Sequence, residues 1–413
     1  MEILNPKKKI LLATSTINLE GGGISSYAVD FCRLFKKKFS IYVVSSDIVN
    51  EELGPLMTRH YCLPSRDLSY NNAKLFLEII NKIEPDIIIN SNSRILSLMI
   101  PFINYKTIKI SISHFVDGQL GITAGYNWRH YNSIIALSEQ GKIFLKKFYQ
   151  INKSGLIEVI YNFYEDENIF SNLMLKNKEA NKPLIITYPG GASLHKNPLL
   201  VFKLVRQLQK SLLSFEFYWL GNTQLPGGEI FGRKFIQDMI EPDDRIIFTK
   251  KIEREKAISI IKKSNIFLLP SLKEGCPISL MEAISGTVIP IVSDSKHASS
   301  ELIDHGINGF ILPENKEDYY FNLIEDIICN HEDYYDIYTN SKILYESKLS
   351  AKVWIEKMER VFSKPLIFEN KSFRKFNLFF RWHRFIFKSL LFKERLKELY
   401  LSLKMFILFQ LSK

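Results

Sequence analysis

Asn265-Ile266-Phe267-Leu268-Leu269-Pro270-Ser271-Leu272-Lys273-Glu274-Gly275-Cys276-Pro277-Ile278-Ser279-Leu280-Met281-Glu282-Ala283-Ile284 is the stretch whose reading decides the fold. An apolar run of strand length stops at Pro270, and Leu280 to Ile284 favours a helix. The segment reads as strand, loop, helix. Gly275 and Pro277 suit a tight loop, and a proline near a first helical turn forfeits no hydrogen bond. Backbone N–H groups of Gly275, Cys276, Ile278 and Ser279, on either side of Pro277, would then point out of the helix start, favouring an anionic or hydroxyl-rich ligand. Glu274 precedes these donors and Glu282 lies about a turn into the helix, so two carboxylates border one pocket on this reading. Taken alone, the pair reads equally as a helix cap and a solvated charge.

The same strand, glycine turn, helix pattern occurs twice more. Leu184-Ile185-Ile186-Thr187-Tyr188 runs into Pro189-Gly190-Gly191-Ala192-Ser193-Leu194-His195-Lys196-Asn197-Pro198. Lys196 sits where a phosphate would accept its charge; a solvated lysine is the bland alternative. Near the start, Lys9 to Ser15 reads as a buried strand, and Gly21-Gly22-Gly23 precedes a helical run from Ile24 to Phe31. Glycines at such a turn let backbone approach a phosphate, although three glycines alone also suit a flexible turn.

Between these ends, strands at Ser40–Val44, Pro85–Ile89 and Ile108–Ile112 alternate with helical stretches such as Asn72–Lys82. Continuous apolar strands separated by helices predict parallel, doubly wound sheets, whose ligands bind outside the carboxyl ends of the strands. His114 falls at such an end, with Asp117 a weaker candidate. Gly118 to Tyr131 reads as a loop whose Tyr126, Trp128, Arg129 and His130 either line an acceptor site or cover a core. Ser138 is an expected N-cap for a helix over Glu139 to Phe148. Polar residues 166–182, ending before Pro183, read as an interdomain linker.

At 413 residues the chain exceeds the size at which one core stops growing. The expected division is 1–165, 183–348, a crossing helix over 349–363 and a tail over 364–413. Cys32, Cys62, Cys276 and Cys329 lie far apart, which argues against a zinc site or disulfide framework and fits a reducing cytosol. The short apolar run after Lys9 is too brief for a signal-peptide core, and no run of eighteen apolar residues predicts a membrane span. Of the net charge of +11, the segment from Lys364 onward supplies +9, with twelve Lys or Arg against three Glu. From Phe373 to Leu411 bulky apolar residues interleave with these cations, a pattern that suits an anionic membrane surface. A helix packed on the enzyme and an oligomer contact are alternatives; no nucleic-acid fold signature accompanies the charge.

Glu274, seven residues, Glu282, in the setting Pro270-Ser271 to Glu282-Ala283, resembles the donor-site motif of the family 4 retaining glycosyltransferases. Gly286-Thr287-Val288-Ile289-Pro290, Glu301-Leu302-Ile303 and Gly306-Ile307-Asn308-Gly309-Phe310 continue the resemblance in order. Weaker similarity extends from Lys9 to Phe362. The resemblance implies a GT-B fold: α/β, two Rossmann-like doubly wound domains facing a cleft, here with a basic amphipathic helical C-terminal tail. It implies a nucleotide-sugar donor, with Glu282 on the ribose and Glu274 on the transferred sugar. Gly190, Gly191 and the backbone of Gly275 to Ser279 would hold sugar hydroxyls and phosphate oxygens. Lys196, with Gly22 and Gly23, would stabilise the leaving diphosphate, and His114 would lie near the reacting sugar. The family usually has an Arg just after the first glycine of the Gly190 turn; Gly191 and Ala192 stand there, leaving His195 or Arg233 to compensate.

The expected activity is retaining transfer of a sugar from a UDP- or GDP-linked donor to a membrane-held acceptor, lipid-linked or lipopolysaccharide. The expected location is cytoplasmic, peripheral on the inner face of the cell membrane, with residues 371–411 on its anionic surface. No Asp-x-Asp motif is present, so neither metal nor cofactor is expected, and no nucleic-acid partner. A GT-B epimerase, a non-catalytic GT-B partner protein and a membrane scaffold are the rival readings.

Overall fold

The computed structural model describes residues 7–19, 22–49, 51–63, 68–104, 106–116, 118–165, 183–224, 235–295, 297–366 and 376–411. The chain divides into two compact units, Met1–Ile160 with Ile355–Arg395, and Tyr161–Trp354 with Leu396–Lys413.

The first unit is built on a seven-stranded parallel sheet: β1 (Lys9–Thr14), β2 (Ser40–Ser45), β3 (Arg59–Cys62), β4 (Ile87–Ser91), β5 (Ile108–Ser113), β6 (Ser133–Ala136) and β7 (Ile157–Val159). Their order is β3-β2-β1-β4-β5-β6-β7. Central strands of such a sheet are covered on both faces, which is why β1 and β4 are apolar without alternation. Strand β5, Ile-Lys-Ile-Ser-Ile-Ser, alternates, and β3 departs further. Its Arg-His-Tyr-Cys sequence gives no apolar signal because it is an edge strand paired to β2 alone, Tyr42 opposite Arg59.

Helices α1 (Gly23–Phe35), α2 (Tyr70–Ile83), α3 (Arg94–Met99), α4 (Gly118–Gly125) and α5 (Glu139–Tyr149) connect these strands. Serine starts three of them: Ser69 Oγ accepts from Asn72 N, Ser93 Oγ from Leu96 N and Ser138 Oγ from Gly141 N. The α2 residues Ala73, Phe76, Ile80 and Ile83 recur at three- and four-residue spacing and are all buried.

The stretch read as a loop over Gly118 to Tyr131 contains α4. A Cβ at Gly121 would lie 2.7 Å from the Phe144 ring, and one at Gly125 2.2 Å from the Tyr149 ring. Two glycines a turn apart therefore let α4 lie directly on α5, a tertiary reason that helix propensity, which penalises glycine, does not register. Tyr126 and Tyr131 are buried in the same core, with Trp128 packed against it. These two tyrosines thus serve the core, one of the two roles left open for the aromatic stretch.

The second unit carries a six-stranded parallel sheet: β8 (Leu184–Tyr188), β9 (Phe215–Trp219), β10 (Ile246–Phe248), β11 (Ile266–Leu269), β12 (Ile289–Ser293) and β13 (Phe310–Leu312), in the order β10-β9-β8-β11-β12-β13. Its helices are α6 (Pro198–Lys210), α7 (Arg254–Lys263), α8 (Ile278–Ser285), α9 (Ala298–Leu302), α10 (Glu317–Cys329) and α11 (Tyr335–Leu344). Pro198 opens α6 at a position where its missing N–H is harmless. Trp219, wholly buried, donates its indole N–H to Gly191 O at 3.0 Å and so ties the core to the β8 turn.

Two further helices follow, α12 (Ala351–Phe362) and α13 (Phe376–Leu411). Phe362 packs against Phe35 at 5.3 Å between ring centroids. Along α13, Phe380, Phe387 and Leu391 are buried in the core of the first unit. Among the described residues no helix is long and apolar enough to cross a membrane. Residues 166–182, read as the linker, lie outside the described residues.

Candidate functional site

Both sheets reverse their winding at one point, between β1 and β4 in the first and between β8 and β11 in the second. Loops leaving the carboxyl ends of the strands at such a point diverge to opposite faces and leave a crevice for a ligand. In the second unit those loops are Pro189–Asn197 and Pro270–Pro277, the two that the sequence singles out.

The structure brings Lys196 and Glu274 together there. Lys196 closes a single 3-10 turn, Leu194–Lys196, and its Nζ lies 2.5 Å from Glu274 Oε1, with both side chains largely buried. The loops are also tied through backbone, Leu272 N donating to His195 O at 2.8 Å. Ser271 Oγ donates to Glu274 Oε1 at 2.9 Å. Burial pushes the Glu274 carboxyl up, but the Lys196 ammonium, His195 and the hydrogen bonds from Lys196 and Ser271 outweigh it and hold it below its ordinary value. The site therefore presents a buried carboxylate, charged at neutral pH, joined to an ammonium.

Two supporting residues carried no sequence signal. His297, fully buried after β12, has its Nε2 3.2 Å from Ser271 O, and Ser293 Oγ donates to the same carbonyl. Both pin the residue that hydrogen-bonds Glu274. A single histidine in a polar stretch offers no periodicity from which to infer this.

Gly275 and Cys276 lead into α8, with Pro277 as N-cap and Ile278 and Ser279 in its first turn. Helix geometry leaves the first N–H groups of α8 without intrahelical acceptors. The loop is held by Asn162, whose N–H donates to Cys276 Sγ at 3.3 Å and whose Nδ2 donates to Cys276 O. Burial pushes the Cys276 thiol up to about 12, so it is a packing group, not a nucleophile. Glu282, 6% exposed, lies on the second turn of α8 with its Oε1 3.4 Å from Arg254 at the start of α7. Arg254 is the residue sequence reading passed over; one cation in Lys251 to Lys263 does not stand out from the others.

Gly190 and Gly191 are fixed by packing. A Cβ on Gly190 would fall 2.0 Å from the buried Tyr188 ring. Gly191 has φ +52°, and a Cβ there would lie 2.6 Å from Asn222 O. Of the two candidate replacements for the absent Arg, His195 is pushed below its ordinary value, mainly by burial, which disfavours its charged form. Arg233 lies outside the described residues.

In the first unit, Gly22 is the N-cap of α1 and Gly23 its first residue; a Cβ on either would meet nothing within 4 Å. The protein's own packing does not require glycine at these positions. His114, 8% exposed, follows β5, with its Nε2 2.8 Å from Ser91 Oγ at the end of β4 and its ring edge-on to Tyr27 at 5.0 Å. Asp117 lies outside the described residues. Among the described residues, no group of three or more His, Cys, Asp or Glu is placed to hold a metal ion.

Burial pushes His114 from 6.5 down to about 4. Between these values the unfolded chain binds a proton that the folded protein does not. Stability is therefore complete above about pH 6.5 and falls as pH drops toward about 4, by roughly 3 kcal/mol over the window. His114→Gln is expected to flatten this acid loss, read as the urea midpoint at pH 7.5 and at pH 5. An equal drop in variant and wild type would refute the assignment.

Residues 170–344 match the family model for glycosyl transferases group 1. Over 67 residues, 15% of this chain, the sequence is 37% identical to the amylovoran biosynthesis glycosyltransferase AmsK of Erwinia amylovora; the match spans 16% of that relative's length. The fold is similar to that of HepE from Anabaena in complex with UDP-glucose, at TM-score 0.69 and 13% identity over 86% of this chain and 100% of that one. It is also similar to the lipopolysaccharide outer core galactosyltransferase WaaB, at TM-score 0.63 and 16% identity over 86% of this chain and 100% of WaaB.

Proposed function

We propose that this chain, whose residues 170–344 match the family model for glycosyl transferases group 1, is a retaining hexosyltransferase. Its donor is a UDP- or GDP-linked sugar. Its acceptor is a hydroxyl of a membrane-held glycan, lipid-linked or lipopolysaccharide, in cell-surface polysaccharide synthesis. The observation that carries this reading is the Lys196–Glu274 ion pair at the switch point of the second sheet, beside the start of α8. HepE, which binds UDP-glucose, and the named roles of AmsK and WaaB support the donor and acceptor classes.

In this mechanism Glu282 accepts hydrogen bonds from the donor ribose. The α8 start and Lys196 meet the diphosphate, whose negative charge grows as the bond to the sugar breaks. Glu274, held charged, takes hydroxyls of the transferred sugar and fixes its orientation. The acceptor hydroxyl enters on the face the diphosphate leaves and gives its proton to that diphosphate, so configuration is retained without a covalent enzyme intermediate. Positioning and charge stabilisation suffice for this route. From the first unit, His114 and the Gly22–Gly23 helix start are assigned to the reacting sugar and the diphosphate. No divalent cation is required on this reading, and activity should persist in excess EDTA. The protein would act on the cytoplasmic side, peripheral to the inner face of the cell membrane.

The test is thermal stabilisation by a panel of nucleoside diphosphates and nucleotide sugars. A true donor at a hundred times its dissociation constant adds about 2.7 kcal/mol. Glu282→Ala should lose most of that gain while keeping its unliganded melting temperature within a few degrees. If no nucleotide stabilises the wild type, the non-catalytic reading replaces this one.

A further inference from the structure

Among its described side chains, helix α13 has two apolar faces, one buried and one exposed. Phe380, Phe387 and Leu391 fall within a narrow arc of the helix and are buried in the core of the first unit. Tyr126 fixes the register there, its OH 2.9 Å from His383 Nδ1 and its ring 4.6 Å from Phe387. On the opposite side, Trp382, Phe385, Phe392, Leu396 and Leu399 recur at three- and four-residue steps, an arc of about 100° at 3.6 residues per turn. All five are more than half exposed, Trp382 at 63% and Phe385 at 68%.

The charges around this second stripe are ordered. By the same helical period, exposed Arg381, Lys388 and Arg395 follow one margin, and exposed Lys393 and Lys397 the other. Glu394 falls on the docked side and is half-buried. Long basic side chains along both borders of an apolar stripe can reach phosphates while their stems cover the acyl boundary. The exposed cations along both margins match the negative charge of lipid phosphates.

We propose that the Trp382–Leu399 face of α13 lies in the headgroup plane of an anionic bilayer, with the opposite face locked to the first unit. The helix is then a rigid mount that holds the first unit in one orientation on the surface, not a flexible tether. This deepens the proposed membrane association, and its test reads lipid binding without sugar transfer, so that the two readings can fail separately.

The full chain should co-sediment with phosphatidylglycerol vesicles and weakly with phosphatidylcholine vesicles, with a blue shift of Trp382 emission absent from Trp382→Phe. Arg381→Gln/Lys388→Gln/Arg395→Gln removes three surface cations and should weaken binding to the anionic vesicles on the order of a hundredfold. Trp382→Ser/Phe385→Ser/Phe392→Ser should lose binding as well. Because all six side chains are exposed, both triple variants should keep the wild-type melting temperature and any nucleotide-induced shift. Undiminished vesicle binding by either variant overturns the proposal. So does a wild-type chain that ignores anionic vesicles but sediments as a dimer, which Trp382→Ser/Phe385→Ser/Phe392→Ser converts to monomer; the stripe then belongs to a second copy.

Discussion

On the proposed mechanism, replacing Lys196 by alanine is expected to cut sugar transfer by about 10²-fold or more, the loss typical of removing one preorganised charge from a group that becomes anionic at the transition state. It should also destabilise the protein without ligand. Lys196 Nζ lies 2.5 Å from Glu274 Oε1, and the glutamate is 5% exposed. Removing one partner of a buried pair costs about 3–5 kcal/mol, and because Lys196 retains some solvent access the lower end applies, about 3 kcal/mol.

The pH dependence distinguishes this from a general packing loss. In the wild type the folded carboxyl of Glu274 lies below its ordinary value of 4.5. The stability it contributes is therefore present above about pH 4.5 and is lost as pH falls through the lower folded value. Without Lys196, burial dominates and raises that carboxyl, so the deficit of Lys196→Ala should be largest at neutral pH and shrink on acidification. Lys196→Ala/Glu274→Gln should regain most of the melting temperature and none of the turnover. A double variant as unstable as the single one would show that Lys196 acts through packing and not through charge.

Gly191→Arg, which writes the residue usual in the resembled family into this chain, is expected to destabilise and not to improve donor binding. A side chain at φ +52° is strained, and its Cβ would lie 2.6 Å from a backbone oxygen, Asn222 O, that already accepts from Ala192 N at 2.7 Å. Left-handed strain and forced repacking each cost about 1–3 kcal/mol, so a loss of about 3 kcal/mol is expected in urea unfolding. Gly191→Ala should lose nearly as much, since the Cβ alone causes the clash. A stable Gly191→Arg with tighter nucleotide binding would mean that the turn can relax, and that glycine here is a lost cation rather than a different turn.

Much of the second unit was legible because its signals are local. The apolar β11 run, the proline stop and Leu280-Met281-Glu282-Ala283 specify strand, loop and helix without help from distant residues, and so they place Glu274 and Glu282. Lys196 was legible for the same reason, as the cation following a glycine turn. Ser138 as an N-cap and the buried strands β1 and β4 belong to this class, since burial on both faces leaves an unbroken apolar run.

Where a residue's role depended on a partner far along the chain, the sequence was silent. Strand β3 is polar because an edge needs no second neighbour, and α4 forms on two glycines because Phe144 and Tyr149 lie where a Cβ would fall. His297 and Arg254 look ordinary until Ser271 and Glu282 are brought beside them. The amino-acid sequence by itself determined two doubly wound sheets, the glycine turns and the candidate donor residues, because periodicity and turn chemistry act over a few neighbours. Only the tertiary structure decided which charges pair, which glycines are fixed by packing and which face of α13 is already occupied, because those depend on distances between residues that the chain order leaves far apart.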